Sequence, residues 1–459
     1  MKKLISIIII LSALVSLTSC NASIFGGSAP KINGKSISKY TIVYDKDGPD
    51  YNKRAAEYIC DELKERFDVE LDIIGDDESK KKHEIVVGET SREISKALNA
   101  GTTGLQFAIM ADDSSVALEG DYFIIAAAAY YFVETYASKA GLKSEISKEA
   151  AIHEPIVKEA KNYIILIGDG MGVNHTRLFD VMEDKSDFSD GENLFYGYLL
   201  PYQGFSRTNS LSGVTDSAAG GTAIACGIKT LNGNVGQDKD GNDVQSITEL
   251  SAILGKSTAV MSTETNTGAT PSSFSAHVDS RNSTQDIRED QLLLTNTHGT
   301  VIECGYDYYT AKKVDLIEEL ITETLDKIDD DEDGFFLMYE EAYIDKHSHN
   351  NDAEKIHLAV IRFNQAIARF MEFAFYNPDT FILITADHET GGLNFDGGNV
   401  TFSSDDHTGA NVLVFAYGDG AELFDGQTIE NVQIGHTIAS FLGVYDFGDQ
   451  SEYQYLGKQ

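Results

Sequence analysis

The chain has 459 residues, 42% of them hydrophobic, enough for two or three domains and a large buried core. Its 73 acidic residues stand against 36 basic ones, and the resulting formal charge of −37 excludes nucleic acid as a partner, because a phosphodiester backbone needs a basic face. Four cysteines at scattered positions (20, 60, 226 and 304) make neither a disulfide framework nor a zinc cluster.

Lys2 and Lys3 precede an apolar run, Leu4 to Leu17, which closes on Leu17-Thr18-Ser19-Cys20. The run is too short to cross a bilayer comfortably, and small residues before a cysteine follow the pattern of a bacterial lipoprotein signal. The expectation is a signal peptide over residues 1–19, a lipid on Cys20 and an extracytoplasmic protein anchored to a membrane. An ordinary secretory signal with an incidental cysteine is the alternative. Residues 20–37, rich in Ser, Gly, Asn and Lys, read as a tether.

A small α/β unit is expected over 38–145. Its elements are strands at Thr41–Tyr44, Val69–Ile74 and Glu84–Val87, a helix over Tyr51–Arg66, a hairpin from Phe107–Met110 and Val116–Glu119, and a helix from Tyr122 to Tyr136. Asp121 and Glu134 bracket that last apolar run, so it reads as a core helix rather than a membrane span. In Thr41–Asp72, Glu84–Gly88 and Val116–Tyr136 the pattern weakly resembles the small α/β domain ahead of the barrel in some glycoside hydrolases. No catalytic residue carries over, and a structural spacer is favoured over glycan binding.

A polar linker over 146–160 leads to the segment 161–459. Tyr163–Ile167, Ala259–Ser262, Phe335–Tyr339 and Phe381–Thr385 are short apolar runs followed by polar candidates, with amphipathic helical patterns such as Ile356–Phe373 between them. This alternation predicts a mostly parallel sheet covered on both faces, with ligands at the carboxyl ends of its strands, where Asp169, Glu340 and Asp387 fall.

The run Val214-Thr215-Asp216-Ser217-Ala218-Ala219-Gly220-Gly221-Thr222 puts a hydroxyl beside a carboxylate at the start of a small-residue helix that would end at Gly227. Ser217 can be a nucleophile there, with an anion favoured at the helix start; on these nine residues alone, a simple N-terminal cap stands level with it. Asp345 and His349 lie four apart, so one helical turn places both on one face at a spacing suited to zinc. Asp387 and His388 are neighbours and can converge only if the chain turns after Thr385.

The nonapeptide resembles the serine signature of the alkaline phosphatases, and four further segments follow in that family's order: Ile167 to Gly172, Ala269-Thr270-Pro271 with Arg281, Glu340 through His349, and Thr385 to Glu389 with His407-Thr408-Gly409. The resemblance covers roughly residues 160 to 459 and implies a three-layer α/β/α sandwich that hydrolyses phosphate monoesters through a phosphoserine on Ser217. It further implies one zinc on Asp345, His349 and His407, and a second on Asp387 and His388, with Asp169 shared. Magnesium falls to Asp169, Thr270 and Glu340, and the substrate phosphate to Arg281. Three dications would outweigh these four carboxylates by about two charges, which reverses the chain's acidic sign locally. His175, His277, His298, His357 and His436 lie outside the pattern, and His347 reads as a solvated neighbour.

One departure is notable. Gly268 stands two before Thr270, where relatives often carry an acid or histidine supporting the magnesium, so that support is expected to be absent and an acid introduced at 268 to tighten the site. Lys346 does match a residue near the phosphate in bacterial relatives. Rival readings are a phosphodiesterase or sulfatase of the same superfamily, although no Cys/Ser-x-Pro-x-Arg motif surrounds Ser217, and a lipid-anchored glycan-binding protein with a phosphatase-like scaffold. The sequence is compatible with a homodimer without fixing the oligomeric state.

Overall fold

The computed structural model describes residues 28–182, 194–304 and 315–458, so the expected signal peptide and Cys20 lie outside the described residues. Two sheets organise the chain. The first has strands β1 (Thr41–Tyr44), β2 (Ile73–Gly75), β3 (Glu84–Val87), β4 (Phe107–Ala111), β5 (Ser115–Glu119) and β6 (Ala151–His153), in the order β2-β1-β3-β5-β4-β6. Helices α1 (Asp50–Phe67) and α2 (Ile124–Tyr136) pack together beside it.

The second sheet carries the larger unit. Its strands are β7 (Asn162–Gly168), β8 (Tyr202–Arg207), β9 (Ser257–Ser262), β10 (Val301–Cys304), β11 (Phe335–Glu341), β12 (Thr380–Thr385), β13 (Val412–Tyr417) and β14 (Thr428–Glu430). They run in the order β10-β9-β11-β7-β12-β13-β8-β14, and β13 alone is antiparallel to its neighbours. The expected mostly parallel α/β arrangement is therefore present. Strand β7 is buried along its whole length, as its unbroken apolar sequence requires for a strand covered on both sides. Ile164 and Leu166 face a core shared with the long helix α6 (Ala353–Tyr376), while Tyr163, Ile165 and Ile167 face one shared with helix α3 (Ser217–Cys226).

Helix α6 also joins the two units. Phe123 stacks on Phe375 with ring centroids 5.9 Å apart, Tyr58 stacks on Tyr376 at 4.2 Å, and Arg54 Nε donates to the buried Glu372 at 2.8 Å. One continuous apolar core thus runs from the first unit to the face of the second sheet, so the first unit buttresses α6.

Several expected boundaries shift. The strand expected over Val69–Ile74 shrinks to Ile73–Gly75, because α1 ends on Asp68 in a left-handed conformation and Val69 N–H still closes that end by donating to Leu63 O. Within the expected tether, Lys31–Ile32 pairs with Lys35–Ser36 and with Lys143–Ser144. Within the expected linker, Ala151–His153 is the edge strand β6.

Candidate metal centre

Strand β7 is central, and β11 and β12 flank it in parallel register, with Ile167 opposite both Glu340 and Thr385. Asp169 follows the end of β7, Glu340 is the penultimate residue of β11 and Asp387 lies two residues beyond β12, which brings three carboxylates to the same edge. Gly170 makes the turn after Asp169 possible: its φ is +71°, and a Cβ there would press on Asp345.

Ser217 is the first residue of α3 and is 3% exposed. Asp216 caps the helix by accepting from Ala219 N–H at 3.0 Å, and the helix closes on Gly227 at φ +65°. The other Asp216 oxygen accepts from Gly233 N–H at 3.0 Å and from Arg281 Nη1 at 3.3 Å, so the residue that caps the helix also holds the guanidinium. At Gly220 a Cβ would meet the backbone of Asp387, so the small residues of this helix allow close approach of the β12 loop.

Two groups of three potential ligands converge here. Asp345, His349 and His407 offer one atom each within 4.8 Å of one another, and so do Asp169, Asp387 and His388. Asp345 lies on helix α5 (Tyr343–Ser348), and His349 is its C-terminal cap in helical conformation, which puts both on one face. The chain turns after Thr385 as required, and Glu389–Thr390 pairs with His407–Thr408 to deliver His407. The His388 and His407 rings stack with centroids 3.6 Å apart, joining the groups, and Ser217 Oγ lies 3.2 Å from His388 Nε2.

The hydrogen bonds fix which nitrogens face inward. His349 Nδ1 lies 2.8 Å from Asp405 O and His407 Nδ1 2.8 Å from Thr215 O; a carbonyl only accepts, so both Nδ1 atoms donate. When both rings are neutral, their Nε2 lone pairs face each other at 3.2 Å beside the Asp345 carboxylate, an arrangement relieved either by a proton on one of them or by a cation between them. His349 titrates upward, to about 9, chiefly through its hydrogen bond to Asp345. Burial, aided by His407, drives His388 down to about 3. Burial, then repulsion from Asp345, lifts Asp387 to about 6.

A third set has a different chemistry. Among the described residues, Asp169 Oδ1, Thr270 Oγ1 and Glu340 Oε1 are buried without a hydrogen-bond partner in good geometry. Burial first, and then the charges of Asp387 on Asp169 and of Glu264 on Glu340, push both carboxyls well above their usual range. Unpaired buried oxygens of this kind are costly, and an oxygen-only set suits a hard cation such as magnesium. The residues therefore fit the groups the sequence resemblance implies.

Sequence reasoning missed three participants. Thr390 Oγ1 donates to Asp345 Oδ1 at 2.5 Å and lies 3.2 Å from His388 Nδ1, bridging the ligand groups. Ser262 Oγ donates to Glu340 Oε2. Glu264 fills the space beside Gly268, which corrects the expectation that no acid stands there. A Thr or Ser at the end of a strand carries no sequence signal of such a role. The remaining histidines stay structural: Gly172 N–H donates to His175, His277 pairs with Glu249 at 3.0 Å, His436 reaches Gly227 O, and His357 packs edge-on against Phe179. His347 is half-buried against Tyr343 rather than solvated.

A profile of the alkaline phosphatase family matches residues 160–317 and 306–403. Alkaline phosphatase 3 of Bacillus subtilis is 30% identical over 288 residues, a match that covers 51% of this chain and 62% of that protein; the chain thus spans about three fifths of this relative's length. The alkaline phosphatase of Escherichia coli is 24% identical over 411 residues, covering 62% of this chain and 87% of that one. A variant of the alkaline phosphatase from the Antarctic bacterium TAB5, solved with Mg bound in its M3 site, superposes with a TM-score of 0.55 at 26% identity, over 63% of this chain and 99% of that one. Profile, relatives and architecture agree, and the chain belongs to the alkaline phosphatase family.

Proposed function

We propose that the chain hydrolyses phosphate monoesters through a phosphoserine on Ser217. One observation carries the reading: Ser217 Oγ, 3.2 Å from His388 Nε2, opens a helix where two stacked ligand groups meet. Asp345, His349 and His407 would hold one zinc, and Asp169, Asp387 and His388 the other. Asp169, Thr270 and Glu340 would hold magnesium. Bound there, the dications supply positive charge for the attacking and leaving oxygens.

The chain's own groups do the positioning. Arg281, held by Asp216, presents a planar fork to two phosphate oxygens, and the start of α3 favours an anion beside Ser217. Ser217 Oγ loses its proton and forms the bond to phosphorus as the bond to the leaving alkoxide breaks, and that alkoxide takes a proton. Water then attacks the phosphoserine, Ser217 is regenerated and inorganic phosphate leaves. The site builds its positive field locally, which reconciles an anionic substrate with the charge of −37.

From sequence alone the proposal extends to a lipid on Cys20 that anchors an extracytoplasmic protein, to a unit over 38–145 joined by the linker 146–160 to the catalytic segment 161–459, and to a homodimer. The test of function is a side-by-side assay of residues 21–459, supplied with zinc and magnesium, on a phosphomonoester, a phosphodiester and a sulfate ester. The monoester is expected to rank first. A diester or sulfate ester ranking first would contradict the proposal, and retention on glycan without any hydrolysis would favour the scaffold reading.

A further inference from the structure

Gly268 has φ −59° and ψ 154°, a conformation open to any L-residue, so backbone freedom does not explain the glycine. Space does: a Cβ at this position would fall inside the Glu264 carboxylate. Glu264 comes from the loop after β9. Its N–H donates to Ser262 Oγ at 3.0 Å, and the same hydroxyl donates to Glu340, which leaves the Glu264 backbone one hydroxyl away from the oxygen-only set. Its Oε2 accepts from Lys346 Nζ at 2.6 Å, with the Glu264 side chain 15% exposed.

We infer that Glu264 is a positioning residue for magnesium: its carboxylate, standing where a side chain at 268 would reach, hydrogen-bonds the water ligands of the cation held by Asp169, Thr270 and Glu340 and holds Lys346 beside it. The inference rests on the magnesium reading above. Three observations support it. The site is built around the carboxylate, since position 268 leaves it room and Lys346 and the Ser262 turn fix it. The Ser262 hydroxyl links the Glu264 backbone to the ligand Glu340, accepting from Glu264 N–H and donating to the Glu340 carboxylate. Magnesium keeps several waters when bound by few carboxylates, and these waters need acceptors.

The alternative is that Glu264 only neutralises Lys346, as an ordinary partly exposed ion pair would. Calorimetric titration of magnesium into the zinc-loaded full chain separates the two. Glu264→Gln should weaken magnesium binding roughly 10-fold to 100-fold, the usual effect of losing an outer ligand partner. Gly268→Asp alone should weaken it too, because two carboxylates compete for one space, whereas Glu264→Ala with Gly268→Asp should restore most of the affinity by moving the acid to the other position. Glu264→Gln should weaken binding equally in a Lys346→Met background.

Unchanged affinity in Glu264→Gln, loss of its effect once Lys346 is Met, or a double variant no better than Glu264→Ala would each overturn the inference. Glu340→Gln serves as the site control. Wild-type binding that depends on Glu340 and not on Glu264 would sink this inference alone, and wild-type binding indifferent to Glu340 would sink the magnesium reading with it.

Discussion

Replacing Thr390 by Val tests how the two ligand groups are held together. Thr390 is fully buried, and Val matches its shape, so the substitution removes little besides the hydroxyl. That hydroxyl has one proton, which goes to Asp345 Oδ1 at 2.5 Å because a carboxylate can only accept. It must therefore accept from His388 Nδ1 at 3.2 Å, which leaves His388 Nε2 as the lone pair turned toward Ser217, Asp169 and Asp387. Losing one hydrogen bond to a buried charge costs about 1.5–3 kcal/mol. Outer-partner losses at metal sites run to roughly 10-fold to 100-fold in affinity, or about 1.4–2.8 kcal/mol, so two independent routes give the same size. Zinc affinity measured by competition with a chromophoric chelator should fall by that amount in Thr390→Val and stay near wild type in Thr390→Ser. Equal zinc affinity in wild type and a folded Thr390→Val would refute the bridging role.

Ser217→Ala should abolish most turnover while changing unfolding free energy by no more than about 1 kcal/mol, since it loses one hydrogen bond in a helix that tolerates alanine; denaturant melts beside the kinetics will check both halves. Deleting residues 28–155 strips Arg54, Tyr58 and Phe123 from Glu372, Tyr376 and Phe375 of α6, so the truncated chain is expected to aggregate or melt well below the full chain. An equally stable truncation, by scanning calorimetry, would show that the shared core is dispensable. Burial opposes protonation of His277, but its hydrogen bond to Glu249 raises it from 6.5 to about 9. A raised folded-state value means stability that is complete below about 6.5 and lost as pH climbs through about 9, on the order of 3 kcal/mol in all. Glu249→Gln should flatten that slope in urea melts across the window, and an unchanged slope would assign it elsewhere.

The parts of this fold visible in the sequence are those in which the constraint is local. An unbroken apolar run of five residues such as Tyr163–Ile167, too short for a helix and followed by Gly168, reads as a strand buried on both faces, and an Asp-Ser pair before small residues reads as a capped helix start whichever role Ser217 plays. Asp345 and His349 were legible because helical geometry links residues four apart. Thr390 and Glu264 were not, because each acts through a partner distant in sequence: 45 residues separate Thr390 from Asp345, and 82 separate Glu264 from Lys346. Gly268 misleads for the same reason, since its missing side chain reads as a gap although the Glu264 carboxylate occupies that space. Ala151–His153 looked like linker because an edge strand of three residues has no periodicity to read.

The most direct test of the account is to quench the zinc- and magnesium-loaded chain in acid during turnover of a phosphomonoester and map the phosphate by peptide mass spectrometry. The account predicts phosphate on Ser217, absent in Ser217→Ala. Rapid monoester hydrolysis with no phosphate on Ser217, and undiminished in Ser217→Ala, would contradict it.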